Sequence, residues 1–256
     1  MGERSQYKSA LAVQDFPSKG WSHRVFGQTK GRMYQLMSDG EYLTFCNYDF
    51  SQRYYDIEEQ VDLIEISKAQ LIAQKAGIRY PVDPETKEPV RIIADFVLTR
   101  IVGGRMVKCV RSFKYVQDLN SSRTLEKLEL ERLVCQAVDI PDYGITTERQ
   151  FPQPRTENLA QIYEFGNYTL QDADISLDRF RAVVTFLTTR VQKHDRPLVD
   201  ITTEADNRLG NEPGTALPIA WHLIARRRWI VDIDQAIKPY KILPVIGIDL
   251  EGFIPE

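Results

Sequence analysis

The stretch RIIADFVLTRIVGGRMVKCVRSFKY, residues 91–115, holds an acid and a base whose placement decides how the chain is read. RIIADFVLTR sets apolar, β-branched residues around Asp95, Gly103 and Gly104 form a turn, and RMVKCVRSFKY returns to deliver Lys114. The pattern predicts a β-hairpin. A strand acid among apolar neighbours is costly unless it is ligated or hydrogen-bonded, whereas a strand lysine by itself is most often a surface side chain with its amine in water.

Upstream, Ser38 or Asp39 can cap a helix, and Glu41 then falls in its first turn, where the free backbone amides favour a carboxylate. YYDIEEQVDLI (54–64) predicts a short strand. ISKAQLIAQKAGI (66–78) predicts a helix with Ile66, Leu71, Ile72 and Ala76 as its apolar residues and Gly77 as its end, and YPVDPETKEPV (80–90) a Pro-rich loop. Beyond the hairpin, NSSRTLEKLELERLVCQAV (120–138) is the clearest helix. Ser121 or Ser122 can cap it, Leu125, Leu128, Leu133 and Val134 form its stripe, and Glu and Arg alternate on the other side. PDYGITTERQF (141–151) predicts another buried strand leading to a turn. This order of helix, strand, helix, hairpin, helix and strand predicts an α/β fold, a mixed sheet with helices on its faces. A helix carboxylate, a strand acid and a lysine near the end of the next strand are the parts of a metal-dependent phosphodiesterase of the PD-(D/E)xK type.

The Pro-rich FPQPRTENL (151–159) predicts a boundary between a nuclease-like domain, 1–150, and a second domain, 151–256. In the second, LDRFRAVVTFLTTRVQ (177–192) is an amphipathic helix, and TALPIAWHLIARRRWIVDIDQAIKPYKILPVIG (215–247) a helix running into a two-stranded ribbon. That is the outline of a winged helix-turn-helix suited to partner or DNA binding. Arg226, Arg227 and Arg228 end the helix and Trp229 opens the ribbon, which predicts a basic and aromatic surface; the alternative is that the cations complement the helix C-terminus. His23 and Arg24 are candidates for DNA contact or for bracing the N-terminal segment. Arg123, Lys127 and Arg132 recur on one helix, a solvated face that could also meet phosphates.

Composition narrows the classes. With 256 residues, 43% hydrophobic and 27% charged, the chain is an ordinary globular protein with one or two cores. A net charge of −3 argues against indiscriminate nucleic-acid binding and calls for local basic patches or a partner that brings the DNA. Cys46, Cys109 and Cys135 suggest neither a disulfide framework nor a zinc site, and three histidines leave little room for His-based schemes. There is no apolar run of membrane-spanning length, and MGERSQYKSALAV lacks signal-peptide features, so a cytoplasmic protein is expected.

Six blocks in order, PSKGWSHRVFGQTKGRMYQLMSDGE, YYDIEEQ, AGIRYPVD, IIADFVLT, RTLEKLELER and GITTERQF, resemble the TnsA family, the endonuclease subunits of heteromeric cut-and-paste transposases. The resemblance covers roughly residues 15–150 and continues more weakly beyond. It implies a restriction-endonuclease-like core with Glu41, Asp95 and Lys114 as the catalytic residues. It further implies Mg²⁺, with Mn²⁺ as a substitute, held by Glu41, Asp95, the Phe113 backbone carbonyl and, weakly, Ser112. Two residues before its lysine the family has Gln, and related nucleases often have Glu, where this chain has Ser112; the family's DIREQ step is here Asp56-Ile57-Glu58-Glu59-Gln60. The implied partners are transposon-end DNA, an integrase-type, TnsB-like transposase and a TnsC-like ATPase regulator, and the implied reaction is cleavage of the 5′ ends, on the bacterial nucleoid once assembled. The other readings are a catalytically weakened adaptor bridging DNA and the regulator, favoured by Ser112, and a stand-alone restriction or repair nuclease.

Overall fold

HRVFG and RMYQL pair as an antiparallel hairpin, β1 (His23–Gly27) and β2 (Arg32–Leu36), in a region where no strand is expected from the sequence. The signal is short: only Val25, Gly27, Tyr34 and Leu36 alternate inward, and the intervening QTKG looks like part of a basic loop. The computed structural model describes residues 7–10, 22–251 and 253; residues 17–21 of the first family-like block and most of the N-terminal stretch lie outside them. The chain divides into two units, Met1–Gln150 and Phe151–Glu256.

In the first unit the hairpin leads into α1 (Asp39–Phe50), capped by Ser38, whose hydroxyl accepts the Glu41 N–H. Next come β3 (Asp56–Asp62) and α2 (Ile66–Ala76), which stops at Gly77 with φ 68°. β4 (Ile93–Val102) and β5 (Arg105–Phe113) form the expected hairpin, with positive φ at both turn glycines, 57° and 76°. A 3₁₀ turn (Val116–Asn120), α3 (Ser122–Ala137, capped by Ser121) and β6 (Tyr143–Thr146) complete the unit. The sheet order is β3-β4-β5-β6; the first three strands are antiparallel and β6 is parallel to β5, so the sheet is mixed.

Helices flank this sheet on residues that differ from the expected stripes. On α2 the buried positions are Ala69 and Ala73, packed with Ile92, Leu130 and Val134, while Leu71 is 56% exposed and Ala76 also faces outward. Small alanines let α2 lie close to α3, which a leucine there would prevent. On α3 Leu125 is exposed and the buried set is Leu128, Leu130, Glu131, Val134 and Cys135. β6 is mostly half-buried, and only Thr146 is fully inside.

The N-terminal hairpin is fastened to β3 by a buried ion pair. The Arg32 guanidinium donates to both Glu59 carboxylate oxygens, at 3.0 and 2.5 Å, and to the Ile57 carbonyl at 3.0 Å. Its Cζ lies 3.6 Å from the centroid of the Tyr34 ring, and Glu59 also accepts the Gln35 N–H.

In the second unit, the Pro-rich segment is the start of a helix. Pro152 stands at the cap and Pro154 in the first turn of α4 (Gln153–Glu164), where a missing N–H costs no hydrogen bond. Then follow α5 (Leu170–Ala173), α6 (Leu177–Val191), α7 (Leu198–Leu209), α8 (Ala216–Ala225) and an antiparallel ribbon, β7 (Trp229–Val231) with β8 (Val245–Ile248). α8 is buried almost all round. No helix among the described residues is long and apolar enough to cross a membrane.

Removing one partner of a buried pair leaves the other charge uncompensated, which costs about 3–5 kcal/mol. Glu59→Ala is therefore expected to lower the unfolding free energy by that amount, and an Arg32→Met/Glu59→Leu double variant by less, in urea denaturation of the full chain.

Candidate active site

The backbone ladder between β4 and β5 reaches Phe96 and Arg111. One step further, the side chain of Asp95 takes over: its Oδ2 accepts the Phe113 N–H at 2.7 Å and faces the Lys114 Nζ at 3.3 Å. Lys114 is set by a different neighbour, since its own N–H donates to the Thr146 carbonyl on β6. Its ammonium also donates to the Phe113 carbonyl at 2.6 Å.

Glu41 arrives from the first turn of α1. The approach requires Gly40, because a Cβ there would stand 1.9 Å from the Phe113 ring. The Glu41 carboxylate accepts from the Met37 N–H (2.9 Å) and from the Gln60 side-chain amide (2.7 Å), and is 9% exposed. Gln60 sits at a positive φ of 51°, a local irregularity of β3 opposite Asp95.

A third carboxylate, not expected from the sequence, faces the same cluster. Glu131 of α3 is 9% exposed and accepts from the Ser112 hydroxyl at 2.5 Å and from the Tyr143 hydroxyl at 3.4 Å. Its signal was present in the spacing, three residues after Leu128 and four before Cys135, on the helix face that packs inward. Ser112, expected as a weak metal ligand, is fully buried and has its hydroxyl engaged by Glu131. Ser112 thus brings the Glu131 carboxylate of α3 up against β5.

The electrostatics follow from crowding. Burial and then the charge of Asp95 push both Glu41 and Glu131 up to about 7. For Lys114, burial works downward, but Asp95, Glu131 and Glu41 together raise it above the ordinary lysine range. At neutral pH Lys114 is an ammonium, a donor with no free lone pair.

The remaining candidates behave differently. His23 contacts Asp39 at 2.6 Å and stacks on Tyr42, bracing the start of α1, while Arg24 is exposed. Arg123 donates to the Arg79 carbonyl and to Glu126, Arg132 pairs with Glu129, and Lys127 is exposed. Glu58, where the family has arginine, pairs with Lys108 at 3.0 Å. In the second unit the expected basic and aromatic surface does not form as drawn. Trp229 is 1% exposed with its indole N–H on Thr188, Arg226 to Arg228 are half-buried, and Arg228 reaches the Glu251 carbonyl and lies over Phe253.

A mixed sheet flanked by helices, bearing a helix carboxylate, a strand carboxylate and a lysine, is consistent with a nuclease fold. Residues 150–233 match the family described as TnsA endonuclease C terminal. Over 216 residues the chain is 27% identical to Transposon Tn7 transposition protein TnsA of Escherichia coli, an overlap of 84% of this chain and 76% of that protein. Both likenesses are to TnsA proteins, and the two together cover most of the chain.

Both buried glutamates bind protons more tightly folded than unfolded, so from about pH 4.5, their unperturbed value, up to about 7 the native state holds more protons and its stability falls as pH rises. The loss is on the order of 3 kcal/mol per carboxylate. Glu131→Gln is expected to flatten this dependence in metal-free urea titrations at pH 5.5 and 8; an unchanged slope would remove Glu131 from the cluster's charge balance.

Proposed function

We propose that the chain is the DNA endonuclease subunit of a heteromeric transposase, hydrolysing the 5′, non-transferred strands at transposon ends. The observation that carries this reading is the meeting of Glu41, Asp95 and Lys114 in one partly buried, charged cluster on a chain similar to TnsA. The first unit is read as a restriction-endonuclease-like core of the PD-(D/E)xK type. The second is read as winged-helix-like, on the strength of α8 followed by the β7–β8 ribbon, and serves partner or DNA contacts.

Asp95, Glu41 and the Phe113 carbonyl are hard oxygen donors, and the two carboxylates repel each other, so the donor set fits Mg²⁺. Among the described residues no three His, Cys, Asp or Glu side chains are gathered as a metal site, and Mg²⁺ typically takes only one or two carboxylates, with water and phosphate oxygens completing its shell. When bound, the ion would neutralise charge on the scissile phosphate and acidify water. Lys114, held protonated, orients the attacking water and stabilises charge developing on the phosphate; its raised pKa makes it an electrostatic group and not the base. Glu41 and Glu131, both poised near neutrality, are the groups able to hold a proton there.

The adaptor reading draws on Ser112. Against it, Glu131 brings a carboxylate to the place that Ser112 leaves short, so the cluster keeps its negative charge. The acidic balance of the chain and its family point to action with an integrase-type transposase and an ATPase regulator on transposon-end DNA, in the cytoplasm.

In a strand-specific cleavage assay with the partner subunits and Mg²⁺, Asp95→Ala and Lys114→Ala are expected to lower 5′-strand cleavage by at least about a hundredfold, leaving 3′-strand cleavage in place. Full 5′ cleavage by either variant would reject the assignment. The isolated chain should cleave little, and efficient cutting of unrelated DNA by it alone would favour the stand-alone nuclease.

A further inference from the structure

β3 last pairs with β4 at Thr99, and β6 first pairs with β5 at Val110. Beyond those points the β4–β5 hairpin runs on as a two-stranded ribbon with Arg100 opposite Val107, Ile101 opposite Met106 and Val102 opposite Arg105. Every residue from Ile101 to Lys108 is exposed. The large apolar residues are well out in solvent: Ile101 and Val102 at 56%, Met106 at 66% and Val107 at 39%. Added side-chain atoms at Gly103 and Gly104 would meet nothing within 4 Å. Four exposed aliphatic side chains on so short a projection are a cost to solubility unless they have a partner.

The charge of the segment says which partner. RIVGGRMVK (100–108) contains three cations, Arg100, Arg105 and Lys108, and no carboxylate. Arg100 and Lys108 form surface pairs with Asp142 and Glu58, interactions weak enough to be exchanged for phosphates. With Arg100 and Lys108 paired, Arg105 leaves the tip net positive, and two like-charged copies of it would repel each other, which disfavours self-association through it. A two-stranded β-ribbon fits a groove of duplex DNA, and aliphatic side chains such as Ile and Met are the kind that wedge against base steps. Eight residues at about 3.3 Å each put the turn roughly 26 Å from Asp95, inside one helical turn of about 34 Å.

We propose that this ribbon enters a groove of the same duplex that the Asp95–Lys114 cluster acts on, its cations on the phosphates and Ile101 and Met106 against the bases. The inference rests on the nuclease reading for its substrate, DNA, and on the ribbon's own exposure and charge for its site.

The test measures binding of the full-length chain to a fluorescent duplex several helical turns long, across a salt series, with cleavage followed in parallel in the assembled transposase. Arg105→Ala, at an exposed position where folding is unaffected, is expected to weaken binding about three- to tenfold and to reduce the log–log salt slope by about 1. Ile101→Ser/Met106→Ser is expected to weaken it about tenfold with the slope unchanged. No binding by the wild-type chain, or affinities within twofold of it for both variants, overturns the proposal. Normal cleavage by the wild type with unaffected ribbon variants overturns only the ribbon, whereas lost binding in the variants with no cleavage by the wild type overturns only the nuclease reading.

Discussion

One carboxylate holds the candidate site together. Asp95 lies where the β4–β5 ladder ends, and its Oδ2 supplies the acceptor that the Phe113 N–H would otherwise lack while facing the Lys114 ammonium. A buried N–H without an acceptor costs as much as a lost hydrogen bond, so the acid is part of the strand's own hydrogen bonding. That double duty fixes the side chain's direction without locking both oxygens: Oδ2 is taken, while among the described residues Oδ1 accepts no hydrogen bond. The same contact sets Phe113, whose ring fills the space opposite Gly40 and so determines how near α1, and Glu41 with it, can come.

Three carboxylates around one ammonium are more negative charge than the fold can leave ionised. The arrangement answers in two ways. It raises the proton affinity of the two glutamates, and it surrounds each with donors: Met37, Ser38 and Gln60 for Glu41, Ser112 and Tyr143 for Glu131. The result is a folded state less stable at high pH than its packing would permit, the kind of stored cost that accompanies sites able to take up a cation. Ser112 fits this account. By donating to the Glu131 carboxylate, its hydroxyl orients a helix side chain toward the strand.

Much of this was legible beforehand because it rests on local rules. Paired glycines specify the hairpin turn, Ser38 specifies the cap, and the cap places Glu41 in the first turn. What escaped depended on tertiary packing. β1 and β2 are short strands with few inward residues, held by the Arg32–Glu59 pair, and nothing in HRVFG or RMYQL announces a partner 27 residues further on. Glu131 goes unnoticed among the Glu and Arg residues that alternate opposite the expected stripe, yet Leu128 and Cys135 on either side of it point inward. α2 shows the same difficulty in reverse. A large residue such as Leu71 draws attention as core, while the close contact with α3 is made by alanines.

The raised pKa of Lys114 bears on how a site of this composition can work at all. A lysine acting as base must shed its proton, which burial favours, but here three carboxylates outweigh burial and keep it charged. A charged lysine is useful for a phosphoryl transition state, whose negative charge exceeds that of the ground state, and useless for removing a proton from water. On the proposed reading, proton removal therefore falls to a group other than Lys114, while Glu41 and Glu131 set the charge of the cluster before a cation arrives. Because each also feels Asp95, a cation bound at Asp95 would lower both together, so that cation uptake and the release of protons are one coupled event at this site.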